Sequence, residues 1–177
     1  ECEVLFGRCG FLGAVLLVRQ RLEDPRLLAA PAAELVRQVI TAGKKQAKDS
    51  WPLYYEWHEK CYFGAAHGIA GILHTLLQLP AELALAGPDA TDLVWSTVKK
   101  LMDCRFSSGN VPSSLGNAKD RLVQFCHGAT GMVSLGLALK VEEAEAFGQV
   151  VWIRGLLRKG LGLCHGIPGN GFALLKL

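Results

Sequence analysis

One short phrase occurs three times in this chain, and its repetition constrains the fold more than any other feature. Residues 66–71, 126–131 and 164–169 read Ala-His-Gly-Ile-Ala-Gly, Cys-His-Gly-Ala-Thr-Gly and Cys-His-Gly-Ile-Pro-Gly. A fourth copy lacks the histidine and reads Gly-Arg-Cys-Gly from Gly7. The four Gly-x-x-Gly sequences begin at residues 7, 68, 128 and 166, and an apolar run follows each. Such periods are typical of folds that stack one helical or strand unit on the next.

More polar segments between these copies have the pattern of amphipathic helices. In residues 31–46 the apolar side chains recur at helical spacing on one face, and the charged side chains lie off it. Residues 90–104 repeat this pattern, and residues 142–157 show it more weakly. No segment alternates cleanly with the period of a strand. The sequence therefore predicts an all-α fold, an α/α toroid (barrel) or solenoid of helical hairpins.

The two kinds of segment predict different places in such a fold. An apolar run without a polar face indicates a buried inner helix, whereas an amphipathic segment indicates an outer one. We expect the inner helices to begin at Phe11, Ile69, Ala129 and Ile167. The chain starts just before one Gly-x-x-Gly helix and stops shortly after another begins. We therefore expect residues 1–177 to be a single, partial α/α-barrel domain of a longer protein.

Composition excludes some classes of partner and indicates a compartment. The chain is 50% hydrophobic and 20% charged, with a formal net charge of +3, which is typical of a globular domain. No run of Lys or Arg exceeds two residues, so nucleic acid is excluded as a partner. The six cysteines lie in apolar or repeat contexts in a chain too long to need disulfide bonds. We expect reduced thiols and a cytoplasmic protein, without a visible signal peptide.

Residues 63–79 carry no Asp, Glu, Lys or Arg, a length that could suggest a membrane span. They include two histidines and end at Pro80, so a buried core helix explains them better. The prediction is no membrane span, and peripheral contact with a membrane surface is left open.

The residues in the repeated phrase have the chemistry of metal ligands. Cysteine thiolates and histidine bind zinc well, and three protein ligands with an open fourth position are typical of a catalytic zinc site. Cys126, Cys164 and His165 could supply these three ligands. The alternative is that they are small buried residues at helix starts, because free cysteine is commonly buried.

The same phrases resemble a known family. Cys126-His127-Gly128, residues 162–166 and residues 64–71 closely resemble the lanthionine synthetase C-like proteins, the eukaryotic relatives of bacterial lantibiotic cyclases. The resemblance extends through nearly the whole chain and includes Tyr-Glu-Trp-His at residues 55–58 and Lys-Gly-Leu-Gly at residues 159–162.

The resemblance implies a seven-layered α/α barrel with zinc at one end of its central cavity. It also implies glutathione binding and addition of the glutathione thiol to dehydroalanine or dehydrobutyrine residues in proteins. By position, Cys126, Cys164 and His165 match the family's zinc ligands, and His67 matches the histidine that resembles the proton donor. Lys159 matches a basic residue near the thiol-binding site, and Lys159 and Arg158 could pair with the carboxylates of glutathione.

Alternatives remain for individual residues. His67 could be a hydrogen-bonded core histidine, and Arg158 and Lys159 could be merely solvated. His127 either contacts the zinc ligands without itself binding the metal, or relays protons. The chain has Leu122 where the bacterial cyclases have an arginine four residues before the first zinc cysteine, and Arg121 one place earlier, which argues against lanthionine ring formation.

The main alternative function is a non-catalytic protein that binds zinc and glutathione and regulates partners or acts as a scaffold. Other toroid enzymes are disfavoured. A prenyltransferase would be expected to carry an Asp ligand and a glycosidase a pair of cavity carboxylates, whereas the repeated positions here hold Cys and His.

Overall fold

The structure is a computed structural model that describes residues 1–48 and 50–177. In these residues it contains only helices and isolated bridges, with no β-strand, so the all-α prediction is confirmed. The helices are α1 (Arg8–Leu22), α2 (Ala29–Lys45), α3 (Ile69–Leu77), α4 (Pro80–Leu85), α5 (Ala90–Met102), α6 (Ala129–Leu139), α7 (Val141–Arg154) and α8 (Ile167–Leu174).

The helices form an inner row and an outer layer. Helices α1, α3, α6 and α8 pack side by side in that order. Helices α2, α5 and α7 pack outside α1, α3 and α6, and the short helix α4 links α3 to α5. Each Gly-x-x-Gly copy thus starts an inner helix, and after each of the first three copies the chain returns along the outside.

Each inner helix has a glycine at its N-cap, namely Gly7, Gly68, Gly128 or Gly166. Three inner helices begin where the sequence predicted, at Ile69, Ala129 and Ile167. The first begins at Arg8 rather than Phe11, because Gly7 caps it in the same way as the later glycines cap their helices.

The expected burial of the inner helices holds for two of the four. Helices α3 and α6 are mostly buried. The prediction is wrong for α1 and α8, where Phe11, Leu17 and Phe172 are exposed. The reason is position, because α1 and α8 stand at the two ends of the described row and each packs against an inner helix on one side only.

Residues 63–79 are only partly helical. Helix α3 covers Ile69–Leu77, and the residues before it form the loop that carries His67. Pro80 does not merely end this segment, because it opens α4 at a position where its missing N–H costs nothing. Within residues 1–48 and 50–177, every helix is too short or too polar to cross a membrane.

Helices α6 and α7 are joined by a single residue, Lys140, in an extended conformation. The helices pack closely, and a Cβ added to Gly136 would lie 2.8 Å from Cα of Ala144. Cys126 and Cys164 are 38 positions apart, and the chain between them still includes an outer helix. The short part of this segment is the connection between α6 and α7.

Candidate metal centre and the adjoining histidine

The loops that precede the inner helices lie side by side and are joined by main-chain hydrogen bonds. The N–H of Val4 donates to Ala66 O at 3.0 Å, and the N–H of Ala65 donates to Phe125 O at 3.4 Å. The N–H of Cys126 donates to Cys164 O at 3.2 Å. The repeated phrase therefore builds one continuous rim at the N-terminal ends of the inner helices.

The second glycine of each Gly-x-x-Gly is required by close packing of this rim. A Cβ at that glycine would collide with the carbonyl of the residue six positions earlier in all four copies. These pairs are Gly10 with Val4, Gly71 with Ala65, Gly131 with Phe125 and Gly169 with Leu163. The glycines thus hold each loop tightly folded over the start of its helix, and the Cys and His side chains between the paired residues are held in place.

Cys126, Cys164 and His165 lie together at one part of the rim. Their two Sγ atoms and a ring nitrogen lie within 4.8 Å of one another. Cys126 is buried, Cys164 is half-buried and His165 is exposed, so the cluster has one closed side and one open side. In the described part of the chain, no other three His, Cys, Asp or Glu residues converge in this way.

The sulfur of Cys126 lies in a polar pocket of its own loop. Gln124 Nε2 donates to Cys126 Sγ at 3.0 Å, and Lys159 Nζ donates to Gln124 Oε1 at 3.1 Å. Burial, followed by the hydrogen bond with Cys164, raises the pKa of the Cys126 thiol to about 11, while the Gln124 amide acts in the opposite direction. Without a metal, Cys126 is therefore a neutral thiol at neutral pH.

His67 lies on the neighbouring loop of the rim, oriented by a buried carboxylate. Its Nδ1 is 2.7 Å from Glu3 Oε2, and the Glu3 side chain is only 2% exposed. The Trp57 ring stacks on the imidazole with centroids 3.8 Å apart and planes at 2°. Because Glu3 accepts at Nδ1, the Nε2 atom of His67 is left as the atom that can exchange a proton.

His127 connects these two regions without joining the cysteine cluster. The Tyr62 ring lies 5.4 Å from the His127 ring and 6.4 Å from the His67 ring. Burial lowers the pKa of His127 most, followed by the charges of His67 and Lys159. Its Nδ1 is buried and has no hydrogen-bond partner among the described residues. His127 is therefore mostly neutral at neutral pH.

The two candidate basic residues differ in their placement. Lys159 contacts the cysteine loop through Gln124. Arg158 is exposed, and no hydrogen bond ties it to the cluster in residues 1–48 and 50–177. Only Lys159 is connected to the cluster by the structure.

Two buried asparagines hold the loops of the cluster, and sequence reasoning missed both. Asn170 Nδ2 donates to Val123 O at 2.9 Å and to Gly155 O at 2.8 Å, so it joins the loops that carry Cys126 and Cys164. Asn110 Nδ2 donates to Leu122 O at 3.1 Å, and its Oδ1 accepts from the N–H of Ala129 at 2.8 Å. These bonds fix both ends of the Cys126 loop.

A family model for lanthionine synthetase C-like proteins matches residues 1–177. The chain belongs to the lanthionine synthetase C-like family. One relative, glutathione S-transferase LANCL1 of Danio rerio, is 35% identical over 189 residues, which cover 99% of this chain and 46% of the relative. LanC-like protein GCL1 of Arabidopsis thaliana is 39% identical over 187 residues, which cover 99% of this chain and 42% of that protein. The chain thus spans a little less than half the length of these relatives.

A solved structure shares the fold of this lanthionine synthetase C-like chain. Nisin cyclase, an α/α toroid, matches with a TM-score of 0.75 over 98% of this chain and 50% of its own. The sequence identity is 16%, so the likeness establishes the fold alone. The inner and outer helices described above are consecutive layers of an α/α toroid.

Proposed function

We propose that this lanthionine synthetase C-like chain binds zinc through Cys126, Cys164 and His165 and adds the glutathione thiol to dehydroalanine or dehydrobutyrine residues of proteins. The observation that carries the proposal is the convergence of two thiol sulfurs and one imidazole nitrogen within 4.8 Å, on a rim that also holds His67. The name of the relative glutathione S-transferase LANCL1 supports glutathione as the thiol. The free cysteines suit the reducing cytoplasm, where glutathione is abundant.

The donor set of the cluster fits zinc. Two sulfurs and one imidazole nitrogen are ligands that zinc prefers, and three protein ligands leave a fourth position for a substrate. The half-buried Cys164 and the exposed His165 leave that side open to an incoming thiol. Bound zinc supplies a Lewis acid that keeps a thiol in its thiolate form at neutral pH.

The reaction needs one proton to move, and we assign that step to His67. The new bond joins the glutathione sulfur to the β-carbon of the dehydroamino acid, and the electrons of the broken π bond pass to the α-carbon. His67 delivers a proton to that carbon from Nε2, and the thiol proton later restores it, so the addition is redox-neutral. Glu3 holds the ring through Nδ1 and fixes the direction in which Nε2 points. The Trp57 ring prevents it from rotating.

We assign the surroundings of His67 to the acceptor and those of the cysteine cluster to glutathione. A cavity of about 280 Å³ adjoins His67 and is lined by residues that include Glu3, Arg8 and Trp57, which offers space for an acceptor side chain. On the other side, Lys159 lies within reach of the cluster through Gln124. We propose that Lys159, with Arg158 beside it, pairs with the carboxylates of glutathione.

The test is adduct formation on a dehydroalanine peptide, measured by mass spectrometry together with zinc content. The full chain should bind one zinc and form the glutathione adduct. Cys126→Ala should lose both, because removing one of three ligands empties the site. His67→Ala should keep zinc and lose about a hundredfold or more in rate.

Two results would contradict these roles. Zinc binding without any adduct would favour the non-catalytic binding protein. Loss of zinc from His67→Ala as complete as from Cys126→Ala would show that His67 is a ligand or a folding residue.

A further inference from the structure

Gln124 makes two side-chain hydrogen bonds, and both lead to the proposed site. Its Nε2 donates to Cys126 Sγ at 3.0 Å, and its Oε1 accepts from Lys159 Nζ at 3.1 Å. The side chain is buried, with 5% of the residue exposed. A buried amide with both ends paired is held in one orientation, because turning it would leave both ends unpaired.

Lys159 determines which end of the amide faces the sulfur. A lysine ammonium has three N–H donors and no acceptor, so only the amide oxygen can face Lys159. The NH₂ group of Gln124 must then face Cys126 Sγ. The hydrogen-bonding chemistry of Lys159 thus distinguishes the amide oxygen of Gln124 from the amide nitrogen and fixes the orientation of the side chain.

The main chain holds Gln124 and Cys126 close together. The N–H of Gln124 donates to His127 O at 3.0 Å, and the N–H of His127 donates to Gln124 O at 3.1 Å. These two bonds close a tight turn that contains Cys126. The backbone of Gln124 therefore stays close to that of Cys126 whenever the turn is intact, and the side-chain bonds place the amide beside the sulfur.

We propose that Gln124 is a positioning residue that orients the Cys126 sulfur and withdraws electron density from it, and that Lys159 holds Gln124 in that role. The inference rests on the proposed function, since it concerns Cys126 as a metal ligand. An N–H donor to a thiolate ligand lowers the electron density that the sulfur gives to the metal, and such outer contacts tune metal sites. A metal that receives less charge from Cys126 attracts an incoming thiolate more strongly. Because Lys159 has further N–H donors, it can hold Gln124 and a glutathione carboxylate at the same time.

The experiment uses Co²⁺ as the probe in the full chain, because its thiolate-to-metal charge-transfer band reports the electron density on the sulfur. Gln124→Leu removes the donor at similar size and should shift this band to longer wavelength. Lys159→Met releases the amide and should shift the band in the same direction by less. Gln149→Leu is the matched control, because Gln149 is exposed on the outer helix α7, and its band should not move. Competition with a chelator should show affinity about 10–100-fold weaker in Gln124→Leu, because losing the bond that orients the sulfur outweighs its stronger donation to the metal.

The outcomes separate this inference from the proposed function. An unmoved band in Gln124→Leu carrying one equivalent of Co²⁺ overturns the role of Gln124. Should circular dichroism show that Gln124→Leu is unfolded, Lys159→Met decides, because Lys159 is exposed and its loss spares the core. An unmoved band in that variant also overturns the inference. A wild-type chain that binds neither Co²⁺ nor Zn²⁺ overturns the proposed function together with it.

Discussion

The backbone N–H of Cys126 donates to the carbonyl oxygen of Cys164 at 3.2 Å. This bond joins two loops that are 38 residues apart in the sequence. Asn170 joins the same two loops through Val123 O and Gly155 O, and its Oδ1 accepts from Thr130 Oγ1 at 2.7 Å. The relative position of the two cysteines is thus set by hydrogen bonds within the protein and does not depend on a bound metal.

Asn170→Asp should destabilise the fold strongly. The substitution keeps the shape of the side chain but replaces its two donors with an acceptor facing two buried carbonyls, so we expect a loss of about 2–4 kcal/mol. Urea unfolding measures it. Asn117→Asp is the control, because aspartate still accepts from the N–H of Lys119 and can accept from the Ser113 hydroxyl, to which Asn117 Nδ2 now donates. Equal losses in the two variants would contradict the role of Asn170.

Metal affinity should rise with pH. Burial and Cys164 raise the pKa of Cys126 to about 11, so below that pH a bound metal must displace a proton from this sulfur. Each displaced proton strengthens apparent binding by about tenfold per pH unit as pH rises. Chelator competition across the neutral range tests this. Cys104→Ser should behave as wild type, because Cys104 lies outside the cluster. An affinity that does not change with pH is incompatible with Cys126 as a ligand.

Stability should fall below about pH 6.5 because of His74. Burial, aided by the charge of Lys176, lowers the pKa of His74 from 6.5 to about 4. Between these values the unfolded chain binds a proton that the folded chain does not, so stability decreases as pH falls through this window. The loss is on the order of 2–3 kcal/mol. Urea unfolding at several pH values should show a shallower decrease in His74→Gln, whereas the exposed His58→Gln should keep the wild-type slope.

Glu59→Gly should stabilise the protein. Trp57 and Lys60 pair around a two-residue turn, in which His58 has φ 47° and Glu59 has φ 60°. A left-handed conformation costs an L-residue about 1 kcal/mol or more, a penalty that glycine avoids. We expect a gain of roughly 0.5–1 kcal/mol in thermal or urea unfolding. Glu145→Gly, within helix α7, should instead lose about 1 kcal/mol, and a loss in both variants would contradict the strain.

The sequence located the helix starts well because Gly-x-x-Gly is a local packing signal. The contact behind this signal spans only six residues, since the second glycine of each copy packs against the carbonyl six positions earlier. Burial was predicted less well because it depends on neighbours. Phe11 follows the second glycine of its copy as Ile72 does, yet only Ile72 has an inner helix on both sides and is buried.

Two residues at the candidate site could not have been found from the sequence. Glu3 is 64 residues from His67, and nothing in the sequence separates it from the other acidic residues. Gln124 is a neutral side chain outside the repeated phrase, and its importance depends on Lys159, which is 35 residues away. The roles proposed for His67, Cys126, Cys164, His165, Lys159 and Arg158 stay predictions.

The single-residue connection at Lys140 has a consequence for how the chain folds. With no loop to close between α6 and α7, their packing costs little chain entropy and involves residues close in sequence. We expect this hairpin to form early. The Cys126 loop directly precedes α6 and is therefore attached to a hairpin that has already folded. The Cys164 loop then has only to dock against it.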